Sequence, residues 1–333
     1  MICGLSQSSV RGTGKTAFLI HRKVTNGMKD KTFKKISIFL FLLPALLLFI
    51  GVLIYPIIMS VCYSFYDLRS VSTTGMQWCG LDNYKELFTS GSISFWRALG
   101  NSLLLAALSV FIQLPLALGL ALMLGKGIKG ERAYLSIYFL PVLISTVVIG
   151  QLWRKIYNPD YGILNAVLSL LGINNVMPNG GWLGNEASAL WCVFIPTLWQ
   201  YVGYHMLLMY AGVRSVSPEL REAAKLDGAT DAQVDWYVVI PVIKPIIKVS
   251  VIFAVTGSLK SFDLIYVLTN GGPYHATEVP STLMINMLFL RNRYGMGSTI
   301  AVMLILLCFA FALLINWAFK EKDIYGKKEH VEE

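Results

Sequence analysis

Apolar and polar positions along this chain fall into long charge-free runs separated by short charged segments. Five stretches hold no Asp, Glu, Lys or Arg: 36–66, 98–125, 133–153, 187–213 and 294–319, which are 31, 28, 21, 27 and 26 residues long. A helix needs about 20 apolar residues to cross a hydrocarbon core of ~30 Å, so each run predicts a membrane span. A sixth run, 249–268, is apolar except for Lys260 and Asp263. The charge-free stretch 161–185 is broken by Asn174, Asn175, Pro178, Asn179, Gly180 and Gly181, and reads as an outer loop with a short surface helix. The pattern predicts an all-α polytopic membrane protein with six transmembrane helices.

The distribution of charge sets the direction of those spans. Segments 1–35, 125–132, 214–248 and 320–333 carry eight, three, five and four Lys or Arg, whereas the alternate segments carry three, two and two. Cationic loops stay on the cytoplasmic side, so both termini are expected in the cytoplasm of a multi-pass cell-membrane protein. The net charge of +9 is then a topology signal and calls for no nucleic-acid partner. The basic start followed by an apolar run has the outline of a signal peptide. The run is too long for an h-region and lacks a small-residue cleavage site, so an uncleaved first helix is expected. The organisation read from sequence is a basic tail (1–35), a six-helix membrane domain (36–320) with one long inner loop (214–247), and a short tail (321–333).

Composition removes the soluble classes. Hydrophobic residues make up 55% and charged residues 14%, with a mean hydropathy of +0.60; soluble domains carry about 25% charge. The cysteines at 3, 62, 79, 192 and 308 are scattered, which excludes a disulfide framework. Gly12, Thr13, Gly14, Lys15 and Thr16 have the form of the end of a phosphate loop, but Ser9 stands where that motif needs its first Gly, so this chain is expected to bind no nucleotide. The four histidines lie in different segments, and no zinc motif, nucleophile elbow or intramembrane carboxylate pair occurs. No catalytic residue and no metal site are expected, and His205 reads as a polar helix contact.

The inner loop is the most informative segment. Ser217 is placed to cap a helix that Pro218 opens, with Glu219 and Glu222 toward its positive end. Gly228 can take the left-handed turn that ends it, and Thr230 with Gln233 forms a capping box for a second short helix. Such a helix–turn–helix suits insertion into a groove on another protein, or serves only as a well-capped connector.

Glu222, Ala223, Ala224, then Gly228, Val238, Ile240 and Pro241 resemble the EAA loop, E-A-A-x3-G-x9-I-x-L-P, of permease subunits in binding-protein-dependent ABC importers. Val238 and Ile240 depart from it conservatively. Leu43 with Pro44, Tyr55 with Pro56, Gly80 to Tyr84, Trp199 with Gln200, and the run from Ser261 to Pro273 are similar to the carbohydrate, maltose-type first permease across about residues 36–320. There is no room for the extra N-terminal helices and large outer domain of the largest maltose-type members. The resemblance implies half of a sugar importer, with oligosaccharide as the expected cargo. Its implied partners are a second related permease, two ATPase subunits that bind the ATP and magnesium, and an extracytoplasmic solute-binding protein. It also implies that Glu222, Ala223, Ala224 and Gly228 meet the ATPase, and that this chain itself holds no cofactor.

Lys260 lies twelve residues past Lys248, hence ~18 Å into the membrane, where an unpaired charge costs at least roughly 2.5–3.5 kcal/mol. Read as one helix, Lys260 and Asp263 share a face and either line a polar path or form an internal ion pair. Gln200, Tyr201 and Tyr204 fall within little more than one turn and offer amide, phenol and ring faces suited to a sugar, or else anchor helix contacts. Rough alignment with the maltose-type permease places these three, with Lys260 and Ser261, on the substrate path. A polyol, a glycerol-phosphate-like solute or an acidic oligosaccharide is the alternative cargo. An ion-gradient-driven transporter is a more distant alternative, which predicts an internal repeat with broken helices.

Overall fold

The computed structural model describes residues 35, 37–69, 76–91, 93–173 and 176–320. The chain divides into two compact units, 1–59 and 60–333. The described part of the first unit is apolar helix, belonging to α1 (Ser37–Tyr63), and no residue of α1 is buried. A Leu-, Ile- and Phe-rich surface of that length is what lipid contact requires.

The second unit opens with a two-residue antiparallel ladder, β1 (Tyr66–Asp67) against β2 (Gln77–Trp78), with Tyr66 opposite Trp78. A short helix, α2 (Asp82–Thr89), leads to the long α3 (Phe95–Leu124), which carries a π segment at Ser109–Gln113. Next come α4 (Glu131–Leu143), α5 (Thr146–Ile156), the short α6 (Ile163–Leu170) and the thirty-residue α7 (Glu186–Ser215). The inner loop holds α8 (Pro218–Leu226) and α9 (Asp231–Val234), the latter running on through a π segment, Asp235–Val239. The chain finishes with α10 (Lys244–Leu259), α11 (Asp263–Leu268), α12 (Pro280–Ile285) and α13 (Tyr294–Ala318).

Among the described residues, four stretches are long and apolar enough to cross a membrane: α1, α3, residues 244–268 and α13. The run 133–153, expected as one straight span, is instead two helices, α4 and α5, bent by 94°. Pro141 lacks the N–H that would continue the ladder, and Ile144 and Ser145 take extended backbone (ψ 137° and 130°). Counted as one broken span, the pair makes five. The remaining expected span corresponds to α7, which is less apolar because it carries Trp, Tyr, Gln and His along its length.

The core is assembled around α7. Leu114, Ala117, Ala121 and Leu124 of α3 pack with Met206, Met209 and Val213 of α7 and with Val234, Val239 and Ile243 of the inner loop. A second cluster joins Ile149 of α5, Val193 and Phe194 of α7, and Leu264, Ile265 and Leu268 of α11. Side chains of this size each contribute roughly 1.5–3 kcal/mol when fully removed from water. At the crossing of α7 with α4, a Cβ on Gly203 would stand 1.9 Å from the Tyr138 carbonyl oxygen. Only glycine permits that approach.

Polar ties secure the end that carries α2. The Arg293 guanidinium grips the Glu86 carboxylate with both nitrogens, at 2.7 and 2.5 Å. Asn83 Nδ2 donates to the Ser64 and Tyr66 carbonyls, and Tyr294 N to the Leu68 carbonyl. Asn101 Nδ2 reaches the Ala276 and Glu278 carbonyls at 2.9 and 2.8 Å.

Candidate functional site

A cavity of about 470 Å³ lies among α3, α4, α5, α7, α10 and α11, within the range of small-molecule sites. Three local irregularities shape it. The π segment of α3 adds a residue to the helical turn and carries Ser109 and Gln113, both buried and both lining the cavity. The α4–α5 bend brings Thr146 to the wall. The run read as one helix over 249–268 breaks at 260–262, leaving Lys260 just past the end of α10 and Asp263 as the first residue of α11.

That break corrects the reading of Lys260 and Asp263 as neighbours on one helix face. They sit on either side of the break, and among the described residues neither makes an ion pair. Both nonetheless open into the cavity, together with Ser261, Tyr201 and Tyr204. Gln200 does not line it. Its side chain is buried and its Nε2 donates to Thr146 Oγ1 at 3.2 Å, so it positions a wall residue.

His205 and Gln113 were missed as cavity residues. His205 Nδ1 and Gln113 Nε2 are buried, line the cavity and have no hydrogen-bond partner among the described residues. Buried polar atoms are rarely left without partners, and these two present unused hydrogen-bonding capacity beside the cavity. Gln113 was open to discovery as an amide deep in a largely apolar run, since polar residues inside spans are functional candidates. Aromatic walls complete the chamber: the Tyr204 ring stands 5.3 Å from His205 and 6.4 Å from Phe253. The chamber therefore offers one ammonium, one carboxylate, hydroxyls, one amide, an imidazole and ring faces, a set suited to a hydroxyl-rich ligand held by many weak contacts.

The second feature is the surface made by α8 and α9. Gly228 has φ +87°, the left-handed turn expected of it, and Thr230 and Gln233 form both bonds of the capping box. Ser217 departs from expectation: its hydroxyl donates to the Glu219 carboxylate and leaves the helix N–H groups alone. Glu222, Ala223 and Gly228 are exposed, while Ala224 packs partly against the core. Leu226 is 89% exposed, and Trp236 and Tyr237 are exposed as well. Lys225 pairs with Asp231 at 2.8 Å and holds its carboxyl below the usual carboxylate range. Lys126 reaches Asp235 at 2.8 Å, and the Arg221 guanidinium donates to the Val213 carbonyl near the end of α7. The cavity and this surface are joined by two helices: α7 runs from Tyr204 to the start of α8, and α10 runs from the end of α9 to Lys260.

Residues 18–321 match the family described as binding-protein-dependent transport system inner membrane component. A probable ABC transporter permease protein of Pyrococcus horikoshii is 36% identical over 86% of this chain and 97% of its own. The permease protein of a diacetylchitobiose uptake system in Streptomyces coelicolor is 30% identical over 85% of this chain and 82% of its own. A crystal structure of a bacterial alginate ABC transporter, in complex with a periplasmic protein bound to alginate pentasaccharide, superposes with a TM-score of 0.75. That match has 25% identity and covers 86% of this chain and 95% of the other.

Proposed function

The chain belongs to the family of binding-protein-dependent transport system inner membrane components, and from that premise we propose that it forms half of the path of a carbohydrate importer, with oligosaccharides as cargo. It is a multi-pass inner-membrane permease component and not an enzyme. The observation that carries the cargo assignment is the convergence of Tyr201, Tyr204, Lys260, Ser261 and Asp263 on one chamber large enough for a small saccharide. Rings accept the C–H faces of a sugar, and the surrounding amide, hydroxyls and charges meet its hydroxyl edge. The diacetylchitobiose and alginate systems, both handling saccharides longer than one unit, support the oligosaccharide reading.

In this reading the membrane domain has six spans with both termini cytoplasmic, so α8 and α9 face the cytoplasm. A second permease completes the path, two ATPase subunits bind ATP and magnesium, and an extracytoplasmic binding protein delivers the cargo. Glu222, Ala223, Ala224 and Gly228 form the contact with one ATPase. Its closure is transmitted along α7 and α10, whose far portions carry the chamber residues. An acidic oligosaccharide is the second reading, favoured by Lys260, which has no carboxylate partner among the described residues.

The test is reconstitution of this chain with its co-purifying subunits in proteoliposomes, followed by ATP-dependent uptake of labelled saccharides. Oligosaccharide uptake that competing monosaccharides leave unchanged supports the assignment. A chain that purifies with no second permease and no ATPase overturns it.

A further inference from the structure

A groove distant from the cavity lies between the start of α10 and the end of α13. It has a volume of about 580 Å³ and is lined by Lys244, Lys248, Lys320, Asn316, Trp317 and Leu313, among others. Among the described residues no carboxylate lines it, and none of the three lysines forms an ion pair. Lys248 Nζ donates to Asn316 Oδ1 at 3.0 Å, which leaves two of its three donors free. Three ammonium groups around one groove repel one another unless an anion sits among them.

A second observation identifies what brings that anion. Along α13, Leu306, Phe309, Leu313 and Trp317 are exposed and recur every three or four residues, so they form one stripe that runs down the helix into the groove. Trp317 stands at its mouth, 76% exposed, as amphipathic rings do at the edge of a bilayer. A free phosphate would use the lysines and ignore the stripe, whereas a lipid uses both. Basic pockets between membrane helices are suited to anionic headgroups.

We propose that this groove binds the headgroup of an anionic phospholipid, with an acyl chain laid along the α13 stripe. Lys244 opens α10 at the end of the inner loop, so the lipid sits where the segment after α9 passes into α10.

Native mass spectrometry of the full chain, extracted from phosphatidylcholine vesicles containing roughly one part in four phosphatidylglycerol, tests this. Wild type is expected to retain phosphatidylglycerol over phosphatidylcholine, and the K244Q/K248Q/K320Q variant to lose that preference roughly tenfold or more. The milder K320Q variant, at the exposed end of α13, should lose it by a few fold and guards against a triple variant that fails to fold. L313Q/W317Q should weaken retention with all three lysines in place. Equal retention of both lipids, or an unchanged preference in K320Q and the triple variant, overturns the proposal. Displacement of the lipid by millimolar inorganic phosphate would make free phosphate the ligand. A W317C cross-link to another protein subunit in the assembled complex would make the groove a protein interface.

Discussion

At the end that carries α2 and the strand pair, side chains tie together residues far apart in sequence. At the end that carries α8 and α9 most ties are local. Arg293 and Glu86 are separated by 207 positions, and Asn101 and Ala276 by 175. On the other side, Thr230 caps through Gln233 and Lys225 pairs with Asp231, both within a few residues. Lys126 with Asp235, Tyr210 with Glu131 and Lys248 with Asn316 are long-range exceptions. The first arrangement makes one end a cross-braced cap. The second makes a stiff protrusion, rigid within itself through its caps and turn, that leaves apolar Leu226 and Trp236 on the outside. A part that must transmit force from a partner needs internal stiffness and an open face, and the inner loop has both.

The contrast predicts that damage at the two ends reads out differently. Gly228→Arg should reduce uptake at least roughly tenfold while membrane abundance stays near normal. A Cβ there meets nothing within 4 Å, so the penalty within this chain is the left-handed backbone, about 1–2 kcal/mol for a side-chain-bearing residue, and the larger loss is expected at the proposed ATPase contact. Asn, which tolerates that backbone, should restore part of the uptake, measured with labelled cargo. Lys260→Ala should reduce uptake by several fold, roughly 1 kcal/mol in transport free energy, with subunit co-purification unchanged; loss of the assembly would assign Lys260 to packing.

At the braced end the effect should appear in stability. Glu86→Ala should destabilise by about 1 kcal/mol, a charge-assisted bond discounted for its partial exposure, visible as a lower thermal midpoint with coupling intact. The smallest effect is its pH dependence. Arg293 holds the Glu86 carboxyl below its ordinary value. The clamp therefore contributes fully above the ordinary glutamate pKa of about 4.3 and loses its contribution as pH falls through the lower folded value. Below about pH 4 the wild-type midpoint should drop more steeply than that of Glu86→Gln.

What could be read from sequence follows the same division. Gly228, Thr230 and Gln233 were legible because caps and turns are decided within four or five residues. The long apolar runs were legible because lipid imposes one rule on every position. Less accessible were features that tertiary contact decides. The helix break at 260–262 lies in an apolar run with no Gly or Pro at the break itself, and α11 is set by packing of Leu264 and Ile265 against α5 and α7. His205 seemed a helix contact because nothing local says which way α7 is turned. Ser217 had the right chemistry to cap, and the nearby Glu219 took its hydroxyl instead.

The meeting of Gly203 with the Tyr138 carbonyl has a consequence for how this protein can vary. Tyr201 and Tyr204 flank that glycine on α7, so any side chain at 203 would push the helix off α4 and carry both rings with it. If the chamber holds the cargo as proposed, its preference can drift through the residues that face it, one substitution at a time. Position 203 has an alphabet of one letter, and descendants that change what they import should do so without changing it.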